Sequence, residues 1–170
     1  MKSVLFFVLF LCFVLPATAQ QHLGPGQRIN YHAIGAPLPP FTIEKWDGST
    51  YSNAALKPGK AVMIVIFSPD CDHCEHAIDS LMGMKEKLAN TQLVFVCEAI
   101  HKSTVKPFVQ KVGMATNKQF ANAGIDKGGL IPNIYTNKML PQIMLYNTKH
   151  ELAKIFDGGF TMASVRVALH

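Results

Sequence analysis

The chain has 170 residues, a formal net charge of +5 and only four cysteines. Its positive charge comes mainly from scattered lysines, and no basic run is interleaved with aromatic residues, which argues against nucleic-acid binding. After the first residues, no apolar run approaches the roughly 20 residues that span a membrane. The composition therefore favours one globular domain and excludes a scaffold held together by many disulfides.

Residues 1–19 have the pattern of a secretory signal peptide. Lys2 precedes an apolar stretch at 4–15 that is short for a membrane span, and Ala17 and Ala19 supply the small residues of a cleavage site. An uncleaved anchor is the alternative. We expect export to the bacterial periplasm or cell envelope, with no stable membrane span after cleavage.

The first half of the remaining chain alternates strands with one helix. Residues 20–35 are rich in Gly and Pro and predict an extended lead-in to a domain at 36–170. Segments at 41–44 and 50–51 flank a turn and predict a β-hairpin. Apolar runs at 61–67 and 93–97 predict buried strands. Between them, Ile78, Leu81, Met82 and Leu88 lie at helical spacing.

The second half predicts a helix at 102–112, with Ser103 or Thr104 as its cap, Pro107 in its first turn and Gly113 at its end. Residues 113–135 show no regular pattern. Segments at 141–146 and 151–156 predict a second hairpin. Thr161 then caps a closing helix through residue 169. This order predicts an α/β fold, a central mixed sheet flanked by helices, with an N-terminal β-hairpin extension.

Two cysteines, Cys71 and Cys74, stand in a C-x-x-C motif where the first buried strand gives way to a helix. Free backbone N–H groups and the helix dipole stabilise a thiolate at a helix start, so the motif indicates a redox pair. We assign Cys71 as the nucleophile and Cys74, one turn further, as the resolving thiol. A purely structural disulfide is the alternative.

With these motifs in this order, the sequence resembles the thioredoxin superfamily, and within it the exported TlpA-like redoxin thiol–disulfide oxidoreductases. The matching segments are the lead-in at 36–41, the strand and C-x-x-C at 67–74, the strand at 94–98, and Leu140-Pro141 with the strand after it. The resemblance covers 35–169. It implies a thioredoxin-like fold and a redox-active Cys71–Cys74 disulfide with no other cofactor.

The resemblance also implies roles for residues around the cysteines. Pro141 would be a cis-proline beside them, and the backbone of Leu140 would pair with an extended substrate. Glu98 ends the second buried strand and would carry protons near Cys74. The alternatives are an ordinary trans proline and a surface carboxylate. The implied partners are protein dithiols or disulfides and an upstream thiol reductant or oxidant, and the family analogy favours reduction of the substrate.

Asp72 and His73, between the cysteines, are candidates for tuning the redox potential. A protonated His73 would stabilise the Cys71 thiolate, whereas the Asp72 carboxylate would repel it. A shift of about 30 mV corresponds to about 1.4 kcal/mol, which one nearby charge can supply. The two opposed charges leave the sign of the net effect open, and simple solvent-exposed residues are the alternative.

Three residues depart from the family pattern. Asp70 stands where many members have an aromatic residue, Val65 where many thioredoxins have a buried aspartate, and Ala77 where some TlpA-type reductases have a glutamate. These departures bear on the redox direction rather than on the fold.

Other functions fit parts of the pattern. Cys71 and Cys74 with Cys97 and His101 have the ligand spacings of a zinc site, and a copper-handling protein is a related alternative. However, Cys97 lies in an apolar run and is expected to be a buried thiol. No proline paired with a threonine or serine precedes Cys71 or Cys74 at the spacing of peroxiredoxins, which disfavours a thiol peroxidase. A non-enzymatic binding domain is the remaining alternative.

Overall fold

The computed structural model describes residues 29–136, 139–161 and 163–165, so the predicted signal peptide lies outside the described residues. The strands are β1 (Thr42–Lys45), β2 (Thr50–Ser52), β3 (Ala61–Ile66), β4 (Thr91–Cys97), β5 (Ala123–Asp126), β6 (Gln142–Tyr146) and β7 (Leu152–Asp157). The helices are α1 (Asp72–Gly83), α2 (Val105–Lys111) and α3 (Leu130–Ile134), with 3₁₀ turns at Asn53–Ala55, Ala99–Ser103 and Met114–Thr116.

All these strands join one seven-stranded sheet in the order β2-β1-β5-β4-β3-β6-β7. Strands β3, β4 and β5 run parallel, while β1, β2, β6 and β7 pair antiparallel with their neighbours. The predicted fold class, a mixed sheet flanked by helices, is therefore confirmed. The N-terminal hairpin is part of this sheet, because β1 pairs with β5.

The central strands are apolar throughout because the sheet is covered on both faces. Every residue of β3 is buried, and its side chains alternate between two core clusters. Met63 and Val65 face the cluster that includes α1 and α2, whereas Val62 and Ile64 face the cluster that includes α3. Residues 61–67 and 93–97 were thus correctly predicted as buried strands.

The sequence showed no regular pattern in residues 113–135 and left their structure open. This region contains β5 and α3, and β5 pairs in parallel with β4. A glycine within β5 interrupts the apolar pattern by which a strand is recognised in a sequence. Gly124 is required because a Cβ at this position would collide with the carbonyl oxygen of Glu44 on β1. The glycine therefore lets the hairpin approach the parallel core closely.

Two helix boundaries differ from the predicted ones. Helix α1 ends at Gly83, although Leu88 beyond it is buried in the same core cluster. Helix α2 begins at Val105 after a 3₁₀ turn, with Thr104 as its N-cap. Ser164 N donates to Thr161 Oγ1 at 3.1 Å, the hydrogen bond of an N-cap, while most of the closing helix lies outside the described residues.

The lead-in is attached to the start of β7. Gly35 N donates to Leu152 O and Leu38 N donates to His150 O, both at 2.8 Å. Within the described residues, no helix is long and apolar enough to cross a membrane.

Candidate active site at the carboxyl ends of the central strands

Cys71 is the N-cap of α1. Its backbone is extended, with φ −112° and ψ 108°, and its Sγ accepts a hydrogen bond from Cys74 N at 3.2 Å. The side chain is half-buried. An N-cap sulfur receives a backbone N–H and the positive end of the helix dipole, and both stabilise negative charge. The strand-to-helix junction expected from the sequence thus places this sulfur at a thiolate-stabilising position.

Cys74 is fully buried one turn into α1. Burial, together with the hydrogen bond to Cys71, raises the pKa of the Cys74 thiol to about 12, and a backbone hydrogen bond from Ser68 opposes this. The thiol therefore holds its proton at neutral pH. Cys71 is partly exposed to solvent, whereas Cys74 is not. The predicted roles of nucleophile and resolving thiol require this difference.

The Leu140–Pro141 peptide bond is cis, and Pro141 is buried immediately before β6. Pro141 precedes Gln142, which pairs with Ile66 at the end of β3, the strand that leads into the C-x-x-C turn. Leu140 is half-buried, and it and Cys71 both pack against the core cluster that contains Cys74. The chain segment predicted to bind substrate therefore lies at the same end of the sheet as the predicted redox pair.

A buried polar cluster holds the start of β6 in place. Gln142 is fully buried, and its Nε2 donates to Thr136 Oγ1 and to Asp157 Oδ1, both at 2.5 Å. Gly158 N donates to Pro141 O at 3.0 Å. These bonds join the segment after α3, the start of β6 and the end of β7, so the loop at Pro141 is anchored on both sides.

Glu98 is exposed directly after β4. Tyr135, a half-buried residue directly after α3, was not singled out from the sequence. Burial raises the pKa of the Tyr135 phenol, and the negative charges of Glu98, Cys74, Asp157 and Cys71 raise it further. Tyr135 was missed because it falls in the region without a regular pattern.

Asp72 and His73 are exposed in the first turn of α1. Both side chains face solvent, where charges are screened. Glu75, also in this turn, forms an ion pair with Lys111 of α2 at 2.6 Å. The tuning roles of Asp72 and His73 stay a prediction.

A hydrogen-bonded network beside the cysteines was not predicted. The ring of His101 lies between two side chains of the C-x-x-C turn: Nε2 is 3.3 Å from Ser68 Oγ, and Nδ1 is 3.6 Å from Asp70 Oδ2. Ser68 Oγ also accepts from Asp70 N at 3.2 Å. From the sequence, His101 was a candidate only as a metal ligand, because nothing in the spacing links it to Ser68.

Cys97 is fully buried, which confirms the expected buried thiol. Its Sγ donates to Gly124 O at 3.5 Å, and burial raises its pKa to about 12. Within the described ranges, no three His, Cys, Asp or Glu side chains come together as a metal site. The zinc ligand set suggested by the spacing of Cys97 and His101 is not assembled there.

Comparison with known proteins defines the fold. No protein-family model matches the chain, and no curated protein matches it. It is similar in structure to a thioredoxin-family thiol:disulfide interchange protein from Chlorobium tepidum TLS, with a TM-score of 0.63 and 18% identity over 84% of this chain and 95% of that one.

A secreted disulfide oxidoreductase from Mycobacterium tuberculosis matches with a TM-score of 0.58 and 16% identity, covering 75% of this chain and 92% of its own. The thioredoxin domain of a thiol-disulfide oxidoreductase from Bacteroides vulgatus matches with a TM-score of 0.60 and 16% identity, over 72% and 87% of the two chains. Together with the strand order and the C-x-x-C junction, these similarities show that the chain has a thioredoxin-like fold.

Proposed function

We propose that the protein is an exported thiol–disulfide oxidoreductase that exchanges a Cys71–Cys74 dithiol or disulfide with cysteines of partner proteins. The observation that carries this proposal is the C-x-x-C geometry at the start of α1. Cys71 Sγ is the half-buried helix cap that accepts Cys74 N–H, and Cys74 is the buried thiol one turn away. No cofactor beyond this cysteine pair is required for the exchange.

In the first step, the Cys71 thiolate attacks one sulfur of a substrate disulfide. A bond forms between Cys71 and that sulfur, the substrate S–S bond breaks, and the other substrate sulfur leaves as a thiolate that takes up a proton. The N–H of Cys74 and the helix dipole stabilise the attacking Cys71 thiolate.

In the second step, Cys74 loses its proton and attacks the sulfur of Cys71. The Cys71–Cys74 disulfide forms, and the first substrate sulfur is released as a thiolate, so two electrons have passed to the substrate. Since burial raises the pKa of Cys74 to about 12, a nearby base is needed to take its proton. Glu98 is the proposed proton carrier, and an upstream dithiol regenerates the reduced pair.

Two exposed apolar side chains, one after β4 and one before β6, support protein substrates. Ile100 after β4 is 80% exposed, and Met139 beside Leu140 is 58% exposed. Such large apolar side chains favour contact with an apolar stretch of another chain. The backbone of Leu140, before Pro141, would pair with an extended substrate segment around the reacting cysteine.

We propose reduction of the substrate as the physiological direction, in the periplasm or cell envelope. The basis is the resemblance to TlpA-like proteins and the signal-peptide pattern at residues 1–19. The Asp72 carboxylate favours this direction, because repulsion of the Cys71 thiolate destabilises the reduced pair and makes it a better electron donor. A protonated His73 acts in the opposite sense.

The test is an equilibrium titration of the cysteine pair against dithiothreitol and glutathione, with alkylation and mass spectrometry to count free thiols. We expect a reversible two-electron couple near or below roughly −250 mV. The Cys74→Ser variant should trap a mixed disulfide through Cys71, whereas Cys71→Ser should not. The absence of a reversible couple would overturn the proposed function, and a couple near roughly −120 to −180 mV would reverse its direction.

A further inference from the structure

Ser68 holds the backbone of Cys71 at the start of the C-x-x-C turn. Its carbonyl oxygen accepts a hydrogen bond from Cys71 N at 3.2 Å. Cys71 Sγ in turn accepts a hydrogen bond from Cys74 N at 3.2 Å. A small movement of Ser68 therefore shifts Cys71 relative to the start of α1, and what holds Ser68 in place matters for the pair.

His101 holds the side chain of Ser68. The imidazole belongs to the 3₁₀ turn Ala99–Ser103 that follows β4, and its side chain is only 18% exposed. Its Nε2 meets Ser68 Oγ at 3.3 Å, while Nδ1 faces the 72% exposed carboxylate of Asp70 at 3.6 Å. The ring thus connects the end of β4 to the turn that carries the cysteines.

We propose that His101 is a positioning residue that sets the redox potential of the Cys71–Cys74 pair by fixing Ser68, and with it the position of Cys71 at the start of α1. This inference rests on the proposed function, since it requires a reversible couple. With His101 in place, Ser68 holds Cys71 where its Sγ accepts the hydrogen bond from Cys74 N, which stabilises the Cys71 thiolate and so favours the reduced pair. Loss of the imidazole weakens this bond and stabilises the disulfide relative to the dithiol.

The two contacts of the ring can be separated by substitution. His101→Ala removes both contacts. His101→Gln places an amide near the position of Nε2 and retains a partner for Ser68, whereas His101→Asn places one near Nδ1 and retains only a partner for Asp70. We expect the equilibrium constant with glutathione to shift about tenfold toward the disulfide in the Ala and Asn variants, about 30 mV, and to stay close to the parent value in Gln.

Lys102→Ala is the matched control on the same 3₁₀ turn. Lys102 forms an ion pair with Glu44 at 3.0 Å and is not part of the network that contacts Ser68. We expect this control to leave the equilibrium constant unchanged. Ser68→Ala should reproduce the His101→Ala shift, and the double variant should shift no further, because both substitutions break the same contact.

The experiment is a glutathione titration of the parent protein and these variants, with thermal unfolding measured in parallel. Equal equilibrium constants in the parent and in His101→Ala would overturn the inference, even if the variant melted at a lower temperature. If His101→Ala does not fold, the Gln and Asn variants and Ser68→Ala decide: equal constants in all of them overturn it. A parent protein without a reversible couple would instead defeat the proposed function itself.

Discussion

Cys74 and Cys97 are both fully buried thiols on the same face of the sheet, and burial raises the pKa of each to about 12. Their neighbours differ. Cys74 lies one turn from the half-buried Cys71, whose sulfur accepts its N–H, whereas Cys97 Sγ donates to the carbonyl of Gly124 inside the sheet. Burial and a raised pKa therefore do not distinguish a resolving thiol from a structural one, but a second sulfur at a helix start does.

The largest expected effect distinguishes Cys74 from Cys97 by how much each contributes to activity. Cys71→Ser should abolish reduction of a protein disulfide, and Cys74→Ser should lower turnover by at least about 100-fold, because the mixed disulfide cannot be resolved within the protein. Cys97→Ala should keep the turnover rate within about twofold. Insulin reduction measured with dithiothreitol as electron source checks this. A comparable loss in Cys97→Ala would assign the third thiol a redox role.

A second prediction disturbs the sheet at Gly124, whose carbonyl oxygen accepts the hydrogen bond from Cys97 Sγ. Gly124→Ala should lower the free energy of unfolding by about 3 kcal/mol, because the added Cβ collides with the carbonyl oxygen of Glu44. Gly83→Ala is the control, since nothing lies within 4 Å of a Cβ built there. Urea unfolding of both variants tests the difference, and equal stabilities would contradict it.

A third prediction concerns the stability of the reduced protein in alkaline solution. The folded state holds the protons of Cys74 and Cys97 up to a pKa of about 12, whereas the thiols of the unfolded chain lose theirs near 9.0. The unfolded state therefore binds fewer protons at high pH, and stability that is present below about pH 9 is lost as pH rises toward 12.

Cys97→Ala sharpens this third prediction, since it removes one of the two buried thiols. Each thiol contributes a slope of at most about 1.4 kcal/mol per pH unit, so the variant should lose stability less steeply between pH 9 and 11. At pH 7 it should be less stable by about 1 kcal/mol, from lost packing and the lost hydrogen bond to Gly124 O. Urea midpoints at several pH values provide the measurement, and identical slopes would argue against the raised pKa of Cys97.

The sequence predicted those parts of the fold that depend on local pattern. Strands β3 and β4 were identified because both lie in the covered centre of the sheet and are apolar throughout. Strand β5 was missed because its four residues include Gly124 and a terminal Asp126, which favour a turn in isolation. Only the approach of β1 explains why a glycine occupies a strand there.

The candidate site likewise contains residues that the sequence identified and residues that it did not. Cys71 and Cys74 were identified because the C-x-x-C motif and the junction between strand and helix are adjacent in the sequence. The contact of His101 with Ser68 could not be predicted, because it joins the ends of two strands that meet only through the parallel pairing of β3 and β4. Tyr135 was missed because it follows α3, an element that the sequence pattern did not reveal.

The attachment of the lead-in to β7 limits how this protein can meet unfolded chains. Open sheet edges recruit extended polypeptides through unpaired backbone groups. Pro37 forms a β-bridge with Glu151, and Leu152 N donates to Ala36 O, so the start of the β7 edge is already paired. The exposed Lys154 places a charge further along the same edge. This border of the sheet is thereby protected from unwanted strand addition and aggregation.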